Sequence, residues 1–260
     1  MNVAIITIAG ISSRFNQDIP EEKHRLKAIY YKENEQDTLL YHMVGRLSDM
    51  DRVVLVAGYK HEDLKEYVNI VFPADIKNKT TIVFNEHYDD WSSGYSLYVG
   101  VKEALRYNPD SILFAEGDLD VDNESFDAIC DSKNSVITCN HEIIRSNKAV
   151  IGYRNAAGKY KYVFSESHGL ASIDEQFSLL FNSGQIWKFT NVDALKESIE
   201  RFEKVKEKGT NLIIVADYFE KEDSEKIDFL DFKCWVNCNT REDYNSILAG
   251  WEEENEIAQR

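Results

Sequence analysis

The sequence predicts an α/β fold in which a mixed, mainly parallel sheet is flanked by helices. Short runs rich in β-branched residues alternate with segments whose apolar residues recur every three or four positions. The β-branched runs are apolar on successive residues, which is typical of strands that are covered on both faces. Strands and helices that alternate along a chain build parallel sheets. Together these two patterns predict a layered structure with helices on either side of the sheet.

In the first half of the chain the pattern is βαβαβαβ, which indicates a Rossmann-like sheet. The predicted strands are Val3–Ile8, Arg52–Ala57, Thr80–Phe84 and Ser111–Ala115. The predicted helices are Thr38–Leu47, His61–Val68 and Tyr95–Leu105, each with apolar residues on one stripe. Because ligands bind at the carboxyl ends of such strands, the polar segments that follow them are candidates for a site.

The second half predicts a mixed sheet that contains a β-hairpin. Strand-like segments are Asn134–Cys139, Ala149–Arg154, Tyr160–Ser165, Phe181–Lys188 and Phe232–Val236. Residues 155–158 form the predicted hairpin turn, and helices are predicted over Val192–Lys206 and Thr240–Trp251. With only 3 prolines and no low-complexity linker, we expect one domain over residues 1–260, with halves at 1–130 and 131–260.

The charge of the chain excludes some classes of partner. It carries 30 basic and 46 acidic residues, a formal net charge of −16. So acidic a surface repels nucleic acids and anionic membranes, so neither is expected as a partner. If the substrate is a polyphosphate, the few basic residues of the chain must be concentrated close to it. Divalent cations must then neutralise the remaining negative charge of the substrate. The charge also suits a cationic second substrate, although solubility alone explains it more simply.

Cysteine usage and the N-terminus predict a cytoplasmic protein. None of the 4 cysteines has His or Cys companions at zinc-ligand spacing, so they are expected to be reduced thiols. The apolar start, Met1 to Ile8, lacks a basic segment and a cleavage site, and no apolar run is long enough to span a membrane.

The most informative segment follows the first strand. Its small residues, Ala9, Gly10, Ser12 and Ser13, let the backbone approach a ligand, and successive N–H groups in such a loop bind anions. Arg14 and Lys27 add positive charge for a polyphosphate. The pattern matches neither GxGxxG nor a Walker loop. Without a ligand, the same residues would form a tight turn with a surface arginine.

Three further segments fall at strand ends. Gly58-Tyr59 follows the second strand, and Asp118, after the fourth, offers carboxylate oxygens to a hard cation. Asn239 and Thr240 begin the last helix, and Asp243 three residues later resembles a capping box. The simpler interpretation of the segment around Asp118 is a solvated acidic turn. The simpler interpretation of Asn239 and Thr240 is an ordinary helix cap.

In combination these motifs resemble the GT-A-type sugar-nucleotidyltransferase superfamily, which includes the MobA-like NTP transferases. The resemblance spans nearly the whole chain in order, from residues 9–15 through Lys27 and Gly117-Asp118 to residues 239–243. Within the superfamily, residues 84–88 and 95–98 are similar to a segment of the cytidylyltransferases that act on phosphocholine or aminoalkylphosphonates. The resemblance implies a nucleotide-binding half, 1–130, and an acceptor-binding half, 131–260.

The resemblance also implies residue roles. The loop residues would wrap the triphosphate together with Gly58 and Ser96 near the nucleotide, Arg14 and Lys27 would be catalytic, and Asp118 and Asn239 would bind Mg²⁺. This sequence departs from the family pattern in three places. Ile8 replaces an alanine, Ser12 replaces a glycine and Leu26 replaces a proline, and Lys23 is a second lysine close to Lys27.

The implied reaction is attack by a phosphate or phosphonate oxygen on the α-phosphorus of CTP, with release of pyrophosphate. Phosphocholine, phosphoethanolamine and 2-aminoethylphosphonate are the implied acceptors. An aromatic cluster facing a substituted ammonium is one candidate for the acceptor site, and its members would be Trp91, Tyr95, Tyr153 and Trp187. Asp120, Asp122 and Glu166 would add charge there. The simpler interpretation places these aromatic rings in the core.

Other functions fit parts of the pattern. A hexose-1-phosphate nucleotidyltransferase using UTP or another NTP shares the same motifs. A GT-A glycosyltransferase usually has Asp-x-Asp, which Asp118-Leu119-Asp120 satisfies, but does not need the phosphate loop. A degenerate nucleotide-binding regulator would not be expected to keep Arg14, Lys27 and Asp118 together.

Overall fold

The computed structural model describes residues 1–164 and 169–258 of the chain. Its strands are β1 (Asn2–Ile8), β2 (Arg52–Ala57), β3 (Thr80–Phe84), β4 (Ser111–Glu116), β5 (Leu119–Val121), β6 (Ser135–Asn140), β7 (Ile151–Asn155), β8 (Tyr160–Tyr162), β9 (Phe177–Phe189), β10 (Ile227–Asp231) and β11 (Trp235–Asn237). Its α-helices are α1 (Leu39–Gly45), α2 (His61–Val71), α3 (Ala74–Lys79), α4 (Gly94–Ala104), α5 (Asn123–Asp131), α6 (Val192–Phe202), α7 (Asn211–Lys221) and α8 (Arg241–Ala258).

The central sheet has the strand order β10-β6-β9-β4-β1-β2-β3. Strands β4, β1, β2 and β3 are parallel, whereas β9 runs antiparallel between β4 and β6. The hairpin of β7 and β8 pairs with the first part of β9, and β5 and β11 form a separate two-stranded sheet. The mixed, mainly parallel α/β fold predicted from the sequence is confirmed.

The sheet separates two apolar cores because successive residues of a strand face opposite sides. From β1, Ala4 and Ile6 contribute to a core beneath α1, α2, α3 and α5, whereas Val3 and Ile5 contribute to a core beneath α4, α6 and α7. A third cluster joins the N-terminal loop to the C-terminal helix. Its buried members are Phe15, Leu39, Cys238, Tyr244, Ile247 and Trp251.

The hairpin turn lies where the sequence predicts it. Gly158 has a φ of 82°, a left-handed conformation that glycine adopts readily, and its N–H donates to the carbonyl of Asn155 over 2.9 Å. The side chain of Asn155 also accepts from the N–H groups of Ala157 and Lys159. Strand β8 ends at Tyr162, and Ser165, the last residue of the predicted strand, lies outside the described residues.

The predicted strand Phe232–Val236 is confirmed only at Trp235 and Val236, which belong to β11, and is wrong for residues 232–234. The chain leaves the main sheet at Asp231, the end of β10, and enters the small sheet at Trp235. Between them Phe232 is buried, and the N–H groups of Lys233 and Cys234 both donate to Oδ2 of Asp122. These hydrogen bonds turn the backbone, so residues 232–234 connect two strands and only the end of the apolar run is itself a strand.

No helix in the described part of the chain is both long and apolar enough to cross a membrane.

Replacement by alanine is expected to have opposite effects at two helical glycines, Gly100 and Gly250. Alanine favours a helix over glycine by about 0.5–1 kcal/mol. A Cβ on Gly100 would lie 2.6 Å from Cγ2 of Ile5, because α4 packs closely on β1, whereas a Cβ on Gly250 would meet nothing within 4 Å. We expect Gly100→Ala to destabilise the fold by about 1–2 kcal/mol through overpacking, and Gly250→Ala to stabilise it slightly. Denaturant unfolding of both variants checks this, and a stabilised Gly100→Ala protein would contradict the packing described for α4.

Candidate active site

A cavity of about 440 Å³ opens at the carboxyl edge of the parallel strands. It is bounded by the loop after β1, the segment after β3, the end of β4 and the beginnings of α7 and α8. Ten of the sequence-predicted site residues line it: Ala9, Gly10, Ser12, Ser13, Arg14, Lys27, Trp91, Ser96, Asp118 and Asn239. Because the strands are parallel, segments that are far apart in the sequence meet at one edge of the sheet. Open α/β sheets bind their ligands at this edge.

The loop after β1 presents its backbone to the cavity. A Cβ on Gly10 would meet no atom within 4 Å, so this backbone faces open space. The N–H groups of Gly10, Ser12 and Ser13 donate to no residue that the structure describes. Unpaired N–H groups next to one another, together with the exposed Arg14, are suited to an anion.

The backbone conformation of Ser12 explains how serine replaces the glycine of the family pattern at this position. Its φ is 55°, in the left-handed region where a non-glycine residue typically costs about 1–2 kcal/mol. Its hydroxyl accepts from the N–H of Lys27 over 3.3 Å, and its carbonyl accepts from the N–H of Asn16 over 3.0 Å. Glycine is therefore the unstrained residue here, and the local hydrogen bonds hold serine in its place.

Lys27 joins three parts of the site. Its Nζ donates to Oδ2 of Asp118 over 2.7 Å and to the carbonyl oxygen of Cys238 over 2.8 Å. Leu26, which stands where the family has proline, has a φ of −73°, within the range that proline adopts. Lys23 is exposed and does not line the cavity. The geometry therefore places Lys27, and not Lys23, in the site.

Asp118 occupies a tightly packed strand end. A Cβ on Gly117 would lie 2.1 Å from Cγ2 of Ile8, so only glycine fits between the ends of β4 and β1. The carbonyl of Asp118 accepts from the N–H of Cys238 over 2.8 Å. Its Oδ1 is buried and has no hydrogen-bond partner among the described residues. A buried carboxylate oxygen without a partner is costly unless a ligand satisfies it.

These residues fit Mg²⁺ shared with a substrate. Magnesium is usually held by one or two carboxylates plus phosphates and water. Asp118 supplies a carboxylate with one unsatisfied oxygen, and the amide of Asn239 lines the same cavity. The described residues contain no group of three or more His, Cys, Asp or Glu that would form an all-protein metal site. The donor set therefore suits a cation that completes its coordination with phosphate oxygens.

Asn239 lies beside a capping box. The N–H groups of Asn239 and Thr240 both donate to Oδ2 of Asp243 over 2.8 Å, and the Thr240 hydroxyl accepts from the N–H of Asp243. The reciprocal cap predicted from the sequence is therefore present, with aspartate in place of glutamate. The cap begins α8 at the cavity, so capping the helix and presenting Asn239 to a ligand are compatible.

Three further residues line the cavity although no role was predicted for them from the sequence, and one of them, Asn85, lies in the segment 84–88 that supports the resemblance. Asn85 is 2% exposed, and its Nδ2 donates to the hydroxyl of Ser96 over 2.9 Å. Glu116 accepts from Nδ2 of Asn211 over 2.6 Å. Burial and the nearby carboxylate of Asp118 raise the pKa of Glu116. Glu116 is the last residue of β4 and directly precedes Gly117-Asp118. Asn211 begins a helix that the sequence did not predict.

Gly58 and Tyr95 support the cavity without lining it. A Cβ on Gly58 would lie 2.6 Å from the carbonyl oxygen of Ala9, so Gly58 lets β2 approach the loop. The ring of Tyr95 packs edge-on against Trp91, with 4.6 Å between centroids, and Trp91 in turn stacks on His87. Among the four predicted aromatic residues, Trp91 alone lines the cavity.

The remaining two aromatic residues lie elsewhere. Trp187 is fully buried, stacks on Phe114 and donates from Nε1 to the hydroxyl of Tyr162. An indole enclosed in the core has no free face for an acceptor, which corrects the expectation for Trp187. Tyr153 lies on β7, is 9% exposed and donates its hydroxyl to Glu175. The proposed four-ring cluster does not form among the described residues.

Two of the three additional acidic residues have structural partners. Asp120 accepts from Arg46 and from Nε1 of Trp251, and Asp122 caps α5 through the N–H of Ser125. Neither lines the cavity. Glu166 lies outside the described residues. Asp118 and Asp120 therefore do not act together as an Asp-x-Asp pair in this cavity.

The fold is similar to those of several solved nucleotidyltransferases. CTP:phosphocholine cytidylyltransferase from Streptococcus pneumoniae has a TM-score of 0.64 at 15% identity, over 95% of this chain and 98% of that chain. The inositol-1-phosphate CTP transferase from T. maritima has a TM-score of 0.63 at 16% identity, over 94% and 91%. UDP-glucose pyrophosphorylase complexed with UDP-glucose has a TM-score of 0.67 at 14% identity, over 98% and 99%.

At these identities the likeness establishes a shared fold, which agrees with the GT-A-type resemblance of the sequence. No curated protein matches the sequence. A family model described as "Domain of unknown function (DUF6564)" matches residues 23–251, which is most of the chain and includes Lys27, Asp118 and Asn239. The chain therefore belongs to the DUF6564 family.

Proposed function

We propose that this chain is a nucleotidyltransferase that transfers a nucleoside monophosphate from an NTP to a small phosphate or phosphonate acceptor and releases pyrophosphate. The observation that carries the proposal is the meeting of Lys27, Asp118 and the loop after β1 in one cavity. Unpaired backbone N–H groups, a free arginine and a carboxylate with an unsatisfied oxygen match the needs of a triphosphate and its counter-ion.

The chain's own residues would act by positioning and charge neutralisation. The N–H groups of Gly10, Ser12 and Ser13 would hold the triphosphate, and Arg14 would neutralise its charge. Lys27 would stabilise the charge that develops at the α-phosphate, after exchanging its contact with Asp118 for one with the substrate. The acceptor oxygen is already anionic at neutral pH, so the reaction needs no general base and depends on alignment.

Asp118 and Asn239 would hold Mg²⁺ in this site. When bound, the ion supplies charge neutralisation at phosphate oxygens. The contact between Lys27 and Asp118 implies that binding of the cation and rearrangement of the lysine are linked.

We propose CTP as the nucleotide and phosphocholine, phosphoethanolamine or 2-aminoethylphosphonate as the acceptor. The motifs after β3 and in α4 support this choice, together with the fold likeness to two CTP-using enzymes. A hexose-1-phosphate acceptor with UTP is the second candidate, because the fold is equally similar to UDP-glucose pyrophosphorylase. The position of Asp120 outside the cavity disfavours a glycosyltransferase.

Replacing Asp118 by asparagine is expected to lower turnover by roughly a hundredfold to a thousandfold, the typical cost of about 3–4 kcal/mol for losing one transition-state contact. The substitution preserves volume but removes the charge that Lys27 and a cation share. Pyrophosphate release at saturating Mg²⁺ measures the loss. Asp120→Asn is the matched control and should retain activity, because Asp120 contacts Arg46 and Trp251 outside the cavity. Equal losses in both variants would favour an Asp-x-Asp mechanism.

Arg14→Ala is expected to reduce turnover by a similar factor with every acceptor, because Arg14 would contact the nucleotide and not the second substrate. The exposed Arg25 is a matched control, since it does not line the cavity and its backbone N–H, not its guanidinium, bonds to Asn16. Steady-state kinetics with each acceptor decide this. An effect confined to one acceptor would assign Arg14 to that substrate instead.

Calorimetric titration of the four NTPs with Mg²⁺ tests the proposed base. CTP should bind more tightly than ATP or GTP, because the Ser96 hydroxyl, which accepts from Asn85, lines the cavity and would present its own hydrogen to the edge of a small ring. A site that pairs with polar ring atoms discriminates strongly against a ring that leaves them unpaired. Tighter binding of a purine nucleotide would contradict the cytidylyltransferase proposal, whereas tighter binding of UTP would favour the second candidate.

A further inference from the structure

The cavity has two chemically different walls. On β4, Leu113 and Ala115 face the core that includes Leu26 and Ala28, on the side of Lys27. Ile112 and Phe114 face the opposite core, and strand alternation places Glu116 on that second side. The first wall carries the phosphate loop and Lys27. The second carries Glu116, which is near enough for the charges of Asp118 and Lys27 to act on it but makes no ion pair with a described residue.

The second wall is built by α4 and α7. The N–H groups of Ser92 and Gly94 donate to the carbonyls of Glu207 and Gly209, which brings the segment before α4 beside the start of α7. Asn211, the first residue of α7, is 7% exposed and lines the cavity. Its Nδ2 donates to Oε1 of Glu116 over 2.6 Å, which fixes the orientation of the carboxylate.

The side chain of Glu116 is held by a hydrogen bond and not by an ion pair. Among the described residues it has no ion-pair partner, and Asn211 is its hydrogen-bond donor. Oδ1 of Asn211 receives no hydrogen bond from any described residue. A carboxyl group that is held in place inside a cavity without an ion-pair partner is costly to maintain. Such groups commonly serve a ligand.

The chemistry of this wall restricts its ligand. A carboxylate repels the triphosphate and the acceptor phosphate, which the cations of the opposite wall attract. The free oxygens of Glu116 and Asn211 both accept hydrogen bonds. These two acceptors therefore favour a ligand that donates hydrogen bonds, as an ammonium group with N–H bonds or a hydroxyl group does. A quaternary ammonium has no N–H to donate.

We propose that Glu116 and Asn211 form a subsite that binds a hydrogen-bond-donating ammonium or hydroxyl group of a substrate. The inference rests on the proposed nucleotidyltransferase function and adds a specificity determinant to it. The donor group belongs either to the non-phosphate end of the acceptor or to the ribose of the nucleotide. Both sources present the same chemistry to the two side chains, and a single set of variants separates them.

The experiment compares the wild-type protein with Glu116→Gln, Asn211→Ala and a control, Glu103→Gln. Glu103 is a carboxylate of α4 that pairs with Arg106 and Tyr107 outside the cavity. Calorimetry with Mg²⁺ gives the Kd of CTP and of 2′-deoxy-CTP. Pyrophosphate release gives kcat and KM for phosphoethanolamine, which has N–H donors, and for phosphocholine, which has none. Thermal unfolding of each variant shows whether its fold is intact.

If the acceptor supplies the donor, both cavity variants raise KM for phosphoethanolamine by about tenfold or more and leave phosphocholine and CTP within twofold of wild type. If the ribose supplies it, both variants weaken CTP binding by a similar factor and abolish the wild-type preference for CTP over 2′-deoxy-CTP. Either result supports the subsite.

Cavity variants that match Glu103→Gln with every ligand would overturn the subsite, and so would a loss that is uniform across ligands and follows reduced thermal stability. Either outcome leaves the proposed function standing if the wild-type protein binds CTP and releases pyrophosphate. A wild-type protein that binds no nucleotide would overturn the proposed function and the subsite with it.

Discussion

The ammonium group of Lys27 holds the site together. It donates to the carboxylate of Asp118, 91 positions later, and to the carbonyl of Cys238, 211 positions later. The side chains of Lys27 and Asp118 are only 18% and 21% exposed, so solvent screens their contact less than it screens a surface ion pair. Lys27 thereby attaches its own segment to the end of β4 and to the segment before α8, which are joined to each other by the hydrogen bond from the N–H of Cys238 to the carbonyl of Asp118.

Two packing constraints place that contact where it is. The parallel register of β1 and β4 pairs Thr7 with Glu116, and Gly117 then passes so close to Ile8 that no side chain fits. The buried ring of Phe15 belongs to the cluster that joins the N-terminal loop to α8. As a result, the wall that carries Lys27 and Asp118 lies on one side of the cavity, whereas Glu116 lies on the side of α7. A cavity divided in this way suits substrates with an anionic end and a hydrogen-bond-donating end.

The sequence predicted the parallel half of the fold well because its signals are local. Strands β2 and β3 have the predicted bounds, and the predicted loop, Lys27 and Asp118 meet as expected. Helix α7 was missed because its apolar run, Leu212 to Val215, is rich in β-branched residues and resembles a strand. Trp187 was misplaced because neither its type nor its spacing distinguishes a core ring from a ligand-binding ring. The contact of Glu116 with Asn211 depends on tertiary packing and has no sequence signature.

A pyrophosphate-release screen tests most directly whether this cavity couples an NTP to a phosphorylated acceptor. The wild-type protein is incubated with Mg²⁺ and each of the four NTPs, with and without phosphocholine, phosphoethanolamine, 2-aminoethylphosphonate and hexose 1-phosphates. We predict pyrophosphate release that requires both an NTP and one of these acceptors, and that is greatest with CTP. The absence of release from every pair, or release that is independent of the acceptor, would contradict it.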